Sequence, residues 1–213
     1  MLRNLISTFV LLCASAVVTA AIELPEESPR GDPEAGRAAA LVCSACHGAG
    51  GKGIAPDYPN LGGQHYSYLL KQMQAFKSGE RQALLMMGQV DNLSEQQLKN
   101  IAAFYAAQPL AEGTAEAAPE VLELGKRIYR AGIPDRGAAA CGACHSPGGH
   151  GNGPAVYPSL SGQPEGYVAL QLKAYRAGER QTDANMGGVM RAVVQYLTDG
   201  EIEAVSAYIQ GLH

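Results

Sequence analysis

A five-residue pattern, Cys-x-x-Cys-His, occurs twice in this chain of 213 residues. The two copies consist of Cys43, Cys46 and His47, and of Cys141, Cys144 and His145. This is the pattern at which c-type haem is attached covalently. Two thiols spaced by two residues can each bond to one vinyl group of the same porphyrin, and the histidine that follows can reach the iron. Each copy therefore predicts one covalently bound haem c.

Two other uses of a Cys-x-x-Cys pair are a zinc half-site and a redox dithiol. A zinc site requires further Cys or His ligands at a regular spacing, and a thioredoxin-like dithiol requires a βαβ context. The sequence has neither feature. The chain has five cysteines, and the fifth, Cys13, lies in a segment that we expect to be removed. All four remaining cysteines belong to the two motifs, which favours two haems.

The N-terminus has the pattern of a secretory signal peptide. Arg3 precedes an apolar stretch, residues 5–18, that is short for a membrane span, and the small residues at 18–20 offer a cleavage site. Cys13 lacks the small preceding residue that a lipidation site requires. Covalent haem attachment takes place outside the bacterial cytoplasm in the systems that this pattern resembles. We therefore predict that residues 1–21 are a signal peptide and that the mature protein is periplasmic; an uncleaved membrane anchor is the alternative.

Net charge argues against a nucleic-acid partner, and composition limits the size of the hydrophobic cores. The chain has 16 Lys and Arg against 20 Asp and Glu, and haem carboxylates add negative charge, so we expect no nucleic-acid partner. Tryptophan is absent and only 6% of the residues are aromatic. Side chains alone would give small domains thin cores, and a buried porphyrin would fill that space.

The second half of the chain repeats the first well beyond the haem motif. Residues 58–64 and 157–163 share the pattern Tyr-Pro-x-Leu-x-Gly-Gln, and residues 79–82 and 178–181 are both Gly-Glu-Arg-Gln. Between the halves, residues 108–120 are rich in Ala, Glu, Pro and Gly and have no apolar period, which indicates a linker.

Within each half the apolar period is helical. The residues that recur at i, i+4 and i+7 are Leu69, Met73 and Phe76, and Val168, Leu172 and Tyr175. Each run stops at a glycine suited to a helix C-terminus, Gly79 or Gly178. Ser94 and Thr198 occupy N-cap positions before a last apolar stripe. No alternating strand pattern competes with these helices.

The sequence therefore predicts an all-α fold with two tandem domains, each built around one haem. We predict a first domain at 22–110, a linker at 111–119 and a second domain at 120–213. Each domain should have an N-terminal helix, a long haem loop, a middle helix and a C-terminal helix. Gly36 and Gly125 should let the N-terminal helix approach the C-terminal helix closely, at Phe104 and at Tyr208.

Methionine is the usual second axial ligand in electron-carrying cytochromes c. Met86 stands eight residues before Ser94, and Met190 stands eight residues before Thr198. This is the only methionine pair that the repeat aligns, so we predict Met86 and Met190 as the sixth ligands. Buried methionine is more often packing than ligand. The neighbouring methionines, Met87 and Met186, remain the alternatives.

Other residues near the motifs are weaker candidates. His65, His150 and His213 have no histidine counterpart in the other half, so we expect them to be surface residues. Pro59 and Pro158 each follow the tyrosine that the two repeats share. Their carbonyls could accept a hydrogen bond from the Nδ1–H of the motif histidine and so orient the imidazole; a simple turn proline is the alternative.

Together these features resemble tandem class I cytochromes c, and in particular the di-haem cytochrome c4 family. The resemblance covers residues 31–213 through both motifs, both Tyr-Pro-x-Leu loops, both Gly-Glu-Arg turns and the C-terminal Ser-Ala-Tyr-Ile-Gln-Gly-Leu-His. It implies two haem domains that face each other, each with a low-spin His/Met iron. It also implies loose association with the periplasmic face of the membrane and electron transfer from quinol-oxidising complexes towards terminal oxidases.

Two different functions are the alternatives to a free electron carrier. A di-haem peroxidase would use one iron as a catalyst, which requires an open or openable sixth position. Thioether ligation by Met86 and Met190 would occupy the sixth position of both irons, so the sequence favours electron transfer. An electron-entry subunit bound permanently to one dehydrogenase or oxidase is the other alternative.

Overall fold

The computed structural model describes residues 31–213. Cys13 and the predicted signal peptide lie outside the described residues. Nine α-helices occur in the described part of the chain: α1 (Pro33–Ala39), α2 (Ser44–His47), α3 (Tyr66–Ser78), α4 (Glu95–Ala106), α5 (Pro119–Ala131), α6 (Gly142–His145), α7 (Glu165–Ala177), α8 (Val189–Val194) and α9 (Asp199–Gln210). Short 3₁₀ turns are found at Pro134–Arg136 and Ala184–Met186.

The helices fall into two similar sets, α1 to α4 and α5 to α9. In each set a short helix carries the haem motif and follows the N-terminal helix, and a long loop leads to the middle helix. Residues 31–213 contain no β-strand beyond two isolated bridges, Ile133 with Ala138 and Asn152 with Tyr157. The all-α prediction is confirmed. The short helix α8, for which the first set has only turns, was not predicted.

The N-terminal and C-terminal helices of each set cross at a glycine. A Cβ atom on Gly36 would lie 2.0 Å from the Asn100 carbonyl oxygen and 2.8 Å from Phe104 Cβ. A Cβ atom on Gly125 would lie 2.0 Å from the Ala204 carbonyl oxygen and 2.8 Å from Tyr208 Cβ. No other residue type fits such a contact without a backbone shift. The predicted close approach is confirmed in both domains.

The predicted helix ends are also confirmed. Ser94 caps α4 and Thr198 caps α9, and both form capping boxes, with Gln97 and Glu201 respectively. A capping side chain of this kind stabilises a helix by about 1 kcal/mol. The middle helices α3 and α7 end at glycines in the left-handed region, with φ of 78° at Gly79 and 75° at Gly178.

Each domain has its own hydrophobic core. The buried residues of the first core are Ala40, Leu69, Ile101, Ala102, Phe104 and Tyr105. The second core is larger and consists of Ile128, Tyr129, Ala138, Val168, Tyr175, Val194, Leu197, Ile202, Val205, Ile209 and Leu212. Partly buried cysteines pack against both cores, Cys43 against the first and Cys141 against the second. The cores therefore adjoin the haem motifs.

The two domains meet through the Tyr-Pro-x-Leu-x-Gly-Gln loops. Gln64 of the first domain binds the backbone of Ser159 in the second: its Nε2 is 2.9 Å from the Ser159 carbonyl oxygen and its Oε1 is 2.8 Å from the Ser159 nitrogen. Gln163 binds the backbone of Asn60 in the same way, at 2.7 and 3.1 Å. All four residues are buried. The repeat thus produces a contact with approximate twofold symmetry.

Within residues 31–213, none of the helices combines the length and the apolar character that a membrane crossing requires.

The crossing glycine gives a direct test of the fold. Gly125→Ala should destabilise the holoprotein by about 1–3 kcal/mol, because the new methyl group collides with a backbone carbonyl that cannot move independently. Gly200→Ala is the matched control: Gly200 lies in α9 with no atom within 4 Å of the added methyl group, and it should be neutral or stabilising by up to about 1 kcal/mol. Denaturant unfolding measures both. Equal effects of the two substitutions would contradict the close helix contact.

Candidate haem-binding sites

Each haem motif forms a single helical turn. Cys43 and Cys141 are the N-caps of α2 and α6, and the histidines are the last residues of these helices. The backbone nitrogen of His47 is 2.9 Å from the Cys43 carbonyl oxygen, which closes the turn. Residues three apart lie on the same face of a helix. The two thiols of each motif therefore lie on one side, where one porphyrin edge can reach both.

Both motif histidines are buried and oriented by a hydrogen bond. His47 is 7% exposed and His145 is 5% exposed. The Nδ1 of His47 is 3.0 Å from the Pro59 carbonyl oxygen, and the Nδ1 of His145 is 2.9 Å from the Pro158 carbonyl oxygen. A carbonyl only accepts, so the hydrogen lies on Nδ1 and the lone pair of Nε2 is left for a metal. The predicted role of the two proline carbonyls agrees with these distances.

Burial also keeps the two imidazoles in the form that binds iron. It lowers the pKa of His47 and of His145, and the hydrogen bonds to the prolyl carbonyls only partly oppose this effect. Both rings are therefore neutral at pH 7. The tyrosine before each proline packs near its ring, with Tyr58 6.3 Å from His47 and Tyr157 6.2 Å from His145 between ring centroids.

The thiols do not have the environment of a redox dithiol. No disulfide links the cysteines of the described residues. Burial raises the pKa of the Cys43 thiol and raises that of Cys141 to about 11. A reactive dithiol requires the opposite shift, because the thiolate is the nucleophile. Nor do residues 31–213 contain a cluster of three or more His, Cys, Asp or Glu side chains that could hold a metal ion.

A tyrosine ring packs beside each motif but comes from a different helix in each domain. Tyr105 of α4 is 1% exposed, and Tyr129 of α5 is 0% exposed. The Tyr129 hydroxyl donates to the Ser146 carbonyl at 2.7 Å. The Tyr105 hydroxyl is buried with no partner among the described residues. An unpartnered hydroxyl beside a motif cysteine fits a site that receives a further group, as a haem site does.

The predicted methionine ligands differ in their surroundings from the two alternatives. Met86 is half-buried in the turns between α3 and α4, and Met190 lies in α8 against the second core. Met87 is 65% exposed. The Sδ of Met186 is 3.7 Å from Lys71 Nζ, across the domain boundary. The assignment of Met86 and Met190 as axial ligands stays a prediction.

The histidines outside the motifs were expected at the surface. His150 and His213 are exposed, and His65 is half-buried at the domain boundary. Its Nε2 is 2.8 Å from the His150 carbonyl oxygen of the other domain. The physical reason is that His65 directly follows Gln64 in the loop that contacts the second domain, which draws its ring into the boundary.

Sequence reasoning missed a polar cluster at the domain boundary. It consists of Tyr68, Gln72 and Arg81 from the first domain and Tyr167, Gln171 and Arg180 from the second. Three repeated signals could have revealed it: a tyrosine in each middle helix, a glutamine one turn later, and the arginine of each Gly-Glu-Arg-Gln segment. Each looks like an ordinary surface residue in the sequence.

Comparisons with known proteins agree with this geometry. The family model described as Cytochrome c matches residues 34–106 and 122–213. The chain is 46% identical over 193 residues to cytochrome c4 of Azotobacter vinelandii, covering 86% of this chain and 90% of the relative. It is 37% identical over 174 residues to a protein of Stutzerimonas stutzeri named thiosulfate dehydrogenase electron acceptor, covering 80% of this chain and 78% of that protein.

A solved structure has the same fold over its whole length. The crystal structure of reduced recombinant cytochrome c4 from Pseudomonas stutzeri superposes with a TM-score of 0.82 at 43% identity, covering 86% of this chain and 100% of that one. The two family-model matches each contain one complete motif. The chain therefore belongs to the cytochrome c4 family: it is a di-haem electron-transfer protein in which the two motifs bind two haem c groups covalently.

Proposed function

We propose that this protein is a periplasmic electron carrier that holds one electron on each of two haems and passes electrons from quinol-oxidising complexes to terminal oxidases. The observation that carries the proposal is the equivalence of the two sites. Each domain has a buried motif histidine whose Nδ1 is held by a prolyl carbonyl, at 3.0 and 2.9 Å. An enzyme that used one haem for catalysis would be expected to alter one of the two sites.

The proposed organisation follows the sequence prediction. Residues 1–21 are a signal peptide, residues 22–110 and 120–213 are the two haem domains, and residues 111–119 link them. Residues 111–118 contain no helix, and α5 begins at Pro119, the last residue of the predicted linker. Export through the signal peptide accounts for the periplasmic location and for haem attachment outside the cytoplasm.

The proposed axial ligands are His47 with Met86, and His145 with Met190. The equal distance of the two methionines from the caps Ser94 and Thr198 supports this assignment. Thioether ligation raises the reduction potential of a haem relative to many other ligands. With both axial positions of each iron occupied by a protein ligand, the haems exchange electrons with partners without binding a substrate.

Partner docking is proposed to depend on apolar contact near the first haem motif with only mild salt dependence. Leu41 and Val42, directly before Cys43, are both 71% exposed. The net charge of the whole chain is only −4, so long-range steering by charge is weak. Loose association with the periplasmic membrane face would keep the carrier near its donor.

A second candidate function is electron acceptance from one particular dehydrogenase. It is favoured by the relatives named thiosulfate dehydrogenase electron acceptor, at 37% and 36% identity. In that role the donor would be a soluble or attached dehydrogenase and not a quinol-oxidising complex. Copurification of a dehydrogenase with the protein would favour this candidate over a free carrier.

The haem content is tested by the mass of the intact purified protein. We expect the mass of a chain cleaved near residue 21 plus two haem groups, and we expect the haems to survive acid extraction because thioether bonds are covalent. Cys144→Ala should leave the second haem attached by a single bond, with Cys13→Ala as the control that changes nothing in the mature protein. A mass with one haem or none would contradict the assignment.

The axial ligands are tested by substituting methionine. Met86→Ala or Met190→Ala should remove one haem's share of the weak sulfur-to-iron band in the ferric spectrum and lower that haem's potential, because thioether ligation raises it. Met87→Ala and Met186→Ala are the matched controls and should leave the band unchanged. Loss of the band in Met186→Ala instead would reassign the second site.

The carrier function itself is tested by kinetics. The protein should be reduced rapidly by quinol-oxidising membranes and reoxidised by a terminal oxidase. The fully reduced and half-reduced forms should show no turnover with hydrogen peroxide, since no open coordination position is expected. Substantial peroxide turnover in either form would assign the protein to the peroxidases, and reduction by a dehydrogenase alone would favour the second candidate.

A further inference from the structure

The two segments that carry the predicted methionine ligands differ in length and in structure. In the first domain, Met86 lies four residues after Gln82, in the turns between α3 and α4. In the second domain, Met190 lies nine residues after Gln181 and is the second residue of α8. The longer segment of the second domain has contacts that the first segment lacks.

Asp183 anchors the second segment. It is 2% exposed. Its Oδ1 accepts a hydrogen bond from Arg191 Nε at 2.9 Å, and its Oδ2 accepts one from the Arg191 backbone nitrogen at 3.0 Å. Its carbonyl oxygen accepts from the backbone nitrogens of Met186 and Gly188, both at 2.9 Å. These four bonds close a loop that begins at Asp183 and ends directly after Met190.

The Asp183 carboxylate also takes the place of a helix cap. The N-cap residue of α8 is Gly188, which has no side chain and makes no capping bond. Arg191 is the third residue of the helix, and its backbone N–H is the donor that Asp183 binds. A carboxylate at this position satisfies a backbone donor that has no partner within the helix and interacts favourably with the helix dipole. Asp183 therefore fixes the first turn of α8, which contains Met190.

Two glycines allow the chain to adopt this arrangement. Gly187 and Gly188 both lie in the left-handed region, with φ of 74° and 72°. A Cβ atom on Gly188 would lie 3.1 Å from Arg191 Nη2, so the guanidinium packs closely against the Gly188 backbone. At the other end of α8, Val194 is 1% exposed and belongs to the second hydrophobic core. The helix is therefore held at both ends.

Met86 lies in a segment with a different surface. The residue after it, Met87, stands where the second domain has Arg191, and it is 65% exposed. Leu84 and Leu85 are 85% and 58% exposed. The side chains around Met86 therefore face solvent, whereas the second segment has a buried carboxylate.

The hydrogen bonds of the first segment are local. The backbone nitrogens of Met86 and Met87 lie 2.9 and 3.1 Å from the Ala83 carbonyl oxygen, and the Gln89 nitrogen lies 3.2 Å from the Met86 carbonyl oxygen. Within the described part of the chain, no side-chain hydrogen bond or ion pair involves residues 83–92. Segments with few buried contacts and exposed backbone bonds open locally at low cost.

We propose that Asp183 and Arg191 are positioning residues that hold Met190 at the second haem, and that a small nitrogen ligand such as imidazole replaces methionine preferentially at the first haem. Such a ligand binds only after the methionine segment has opened, so a rarely open segment weakens the apparent affinity. Opening the second segment separates Asp183 from Arg191. The inference rests on the proposed ligation by Met86 and Met190 and not on the redox partners.

The order of ligand exchange is tested by imidazole titration of the ferric holoprotein. In Met190→Ala the remaining sulfur-to-iron band comes from the first haem, and in Met86→Ala it comes from the second. We expect half of the remaining band to be lost at an imidazole concentration about tenfold lower in Met190→Ala than in Met86→Ala, the factor that one capping side chain gives. Equal concentrations, or the reverse order, would overturn the proposal.

The positioning residues are tested in the Met86→Ala background. Asp183→Asn replaces one carboxylate oxygen by a donor, so it should lower the imidazole concentration for half-loss of the band by about tenfold. Arg191→Gln should lower it less, because the backbone N–H of residue 191 can still bind Asp183. Glu203→Gln is the matched control: Glu203 Oε1 is 3.4 Å from Lys173 Nζ in the same domain, outside α8, and its loss should change nothing. An unchanged concentration in Asp183→Asn would contradict the assigned role.

Gly125→Ala separates a positioning role from a general loss of stability. It should destabilise the second domain at the helix crossing without touching residues 182–191, so in the Met86→Ala background it should leave the imidazole concentration unchanged. Equal effects of Gly125→Ala and Asp183→Asn would overturn the proposal. If Asp183→Asn fails to fold, Arg191→Gln decides: its side chain is partly exposed, and the absence of any effect would overturn the proposal.

Failure of the proposed ligation would be seen separately. A Met86→Ala or Met190→Ala variant that keeps the full sulfur-to-iron band would contradict the ligand assignment itself. If each variant loses its share of the band but the two haems exchange ligands equally, only the role of Asp183 and Arg191 is wrong.

Discussion

The haem sites and the domain contact both depend on the hydrogen bond between each motif histidine and a prolyl carbonyl. It fixes the imidazole so that Nε2 is left for iron, and it anchors the loop that carries the proline. In the first domain, Asn60 directly follows Pro59, and Asn60 is the residue whose backbone binds Gln163 of the other domain. The loop that orients the histidine is therefore also the loop that contacts the other domain.

The two haem motifs are related by approximate symmetry but differ in the residues that pack beside them. The ring that packs beside Cys43 comes from α4 as Tyr105, whereas the ring beside Cys141 comes from α5 as Tyr129. The backbone after the motif differs too: Gly48 has φ of 70°, and Ser146 adopts the same left-handed region with φ of 67°, supported by the Tyr129 hydroxyl. The two motifs therefore have unequal polar surroundings.

Much of the fold followed from the sequence because it depends on local interactions. The caps Ser94 and Thr198 bind backbone groups three residues away, and Gly79 and Gly178 end helices through their own backbone conformation. Because the chain is duplicated, each of these capping and helix-ending residues occurs in both halves, and the two copies support the same prediction. The crossing glycines contact residues that are distant in the sequence. They could still be predicted, because only glycine permits such a close approach of two helices. The helix α8 and the contact of His65 with the second domain were not predicted, because both depend on what packs against them.

The sequence by itself determined the two covalent haem sites, since the two thiols and the histidine of each motif lie within one helical turn and their chemistry requires no distant residue. It also determined the all-α repeat, and it offered the prolyl carbonyls as candidate acceptors, which the structure places 3.0 and 2.9 Å from the histidine Nδ1 atoms. Only the tertiary structure revealed that Arg81 and Arg180 are buried together. Each looks like a surface cation after a helix, and no local pattern indicates which side chains a second domain will cover. Docking of the domains decides their burial and the acceptors that they share.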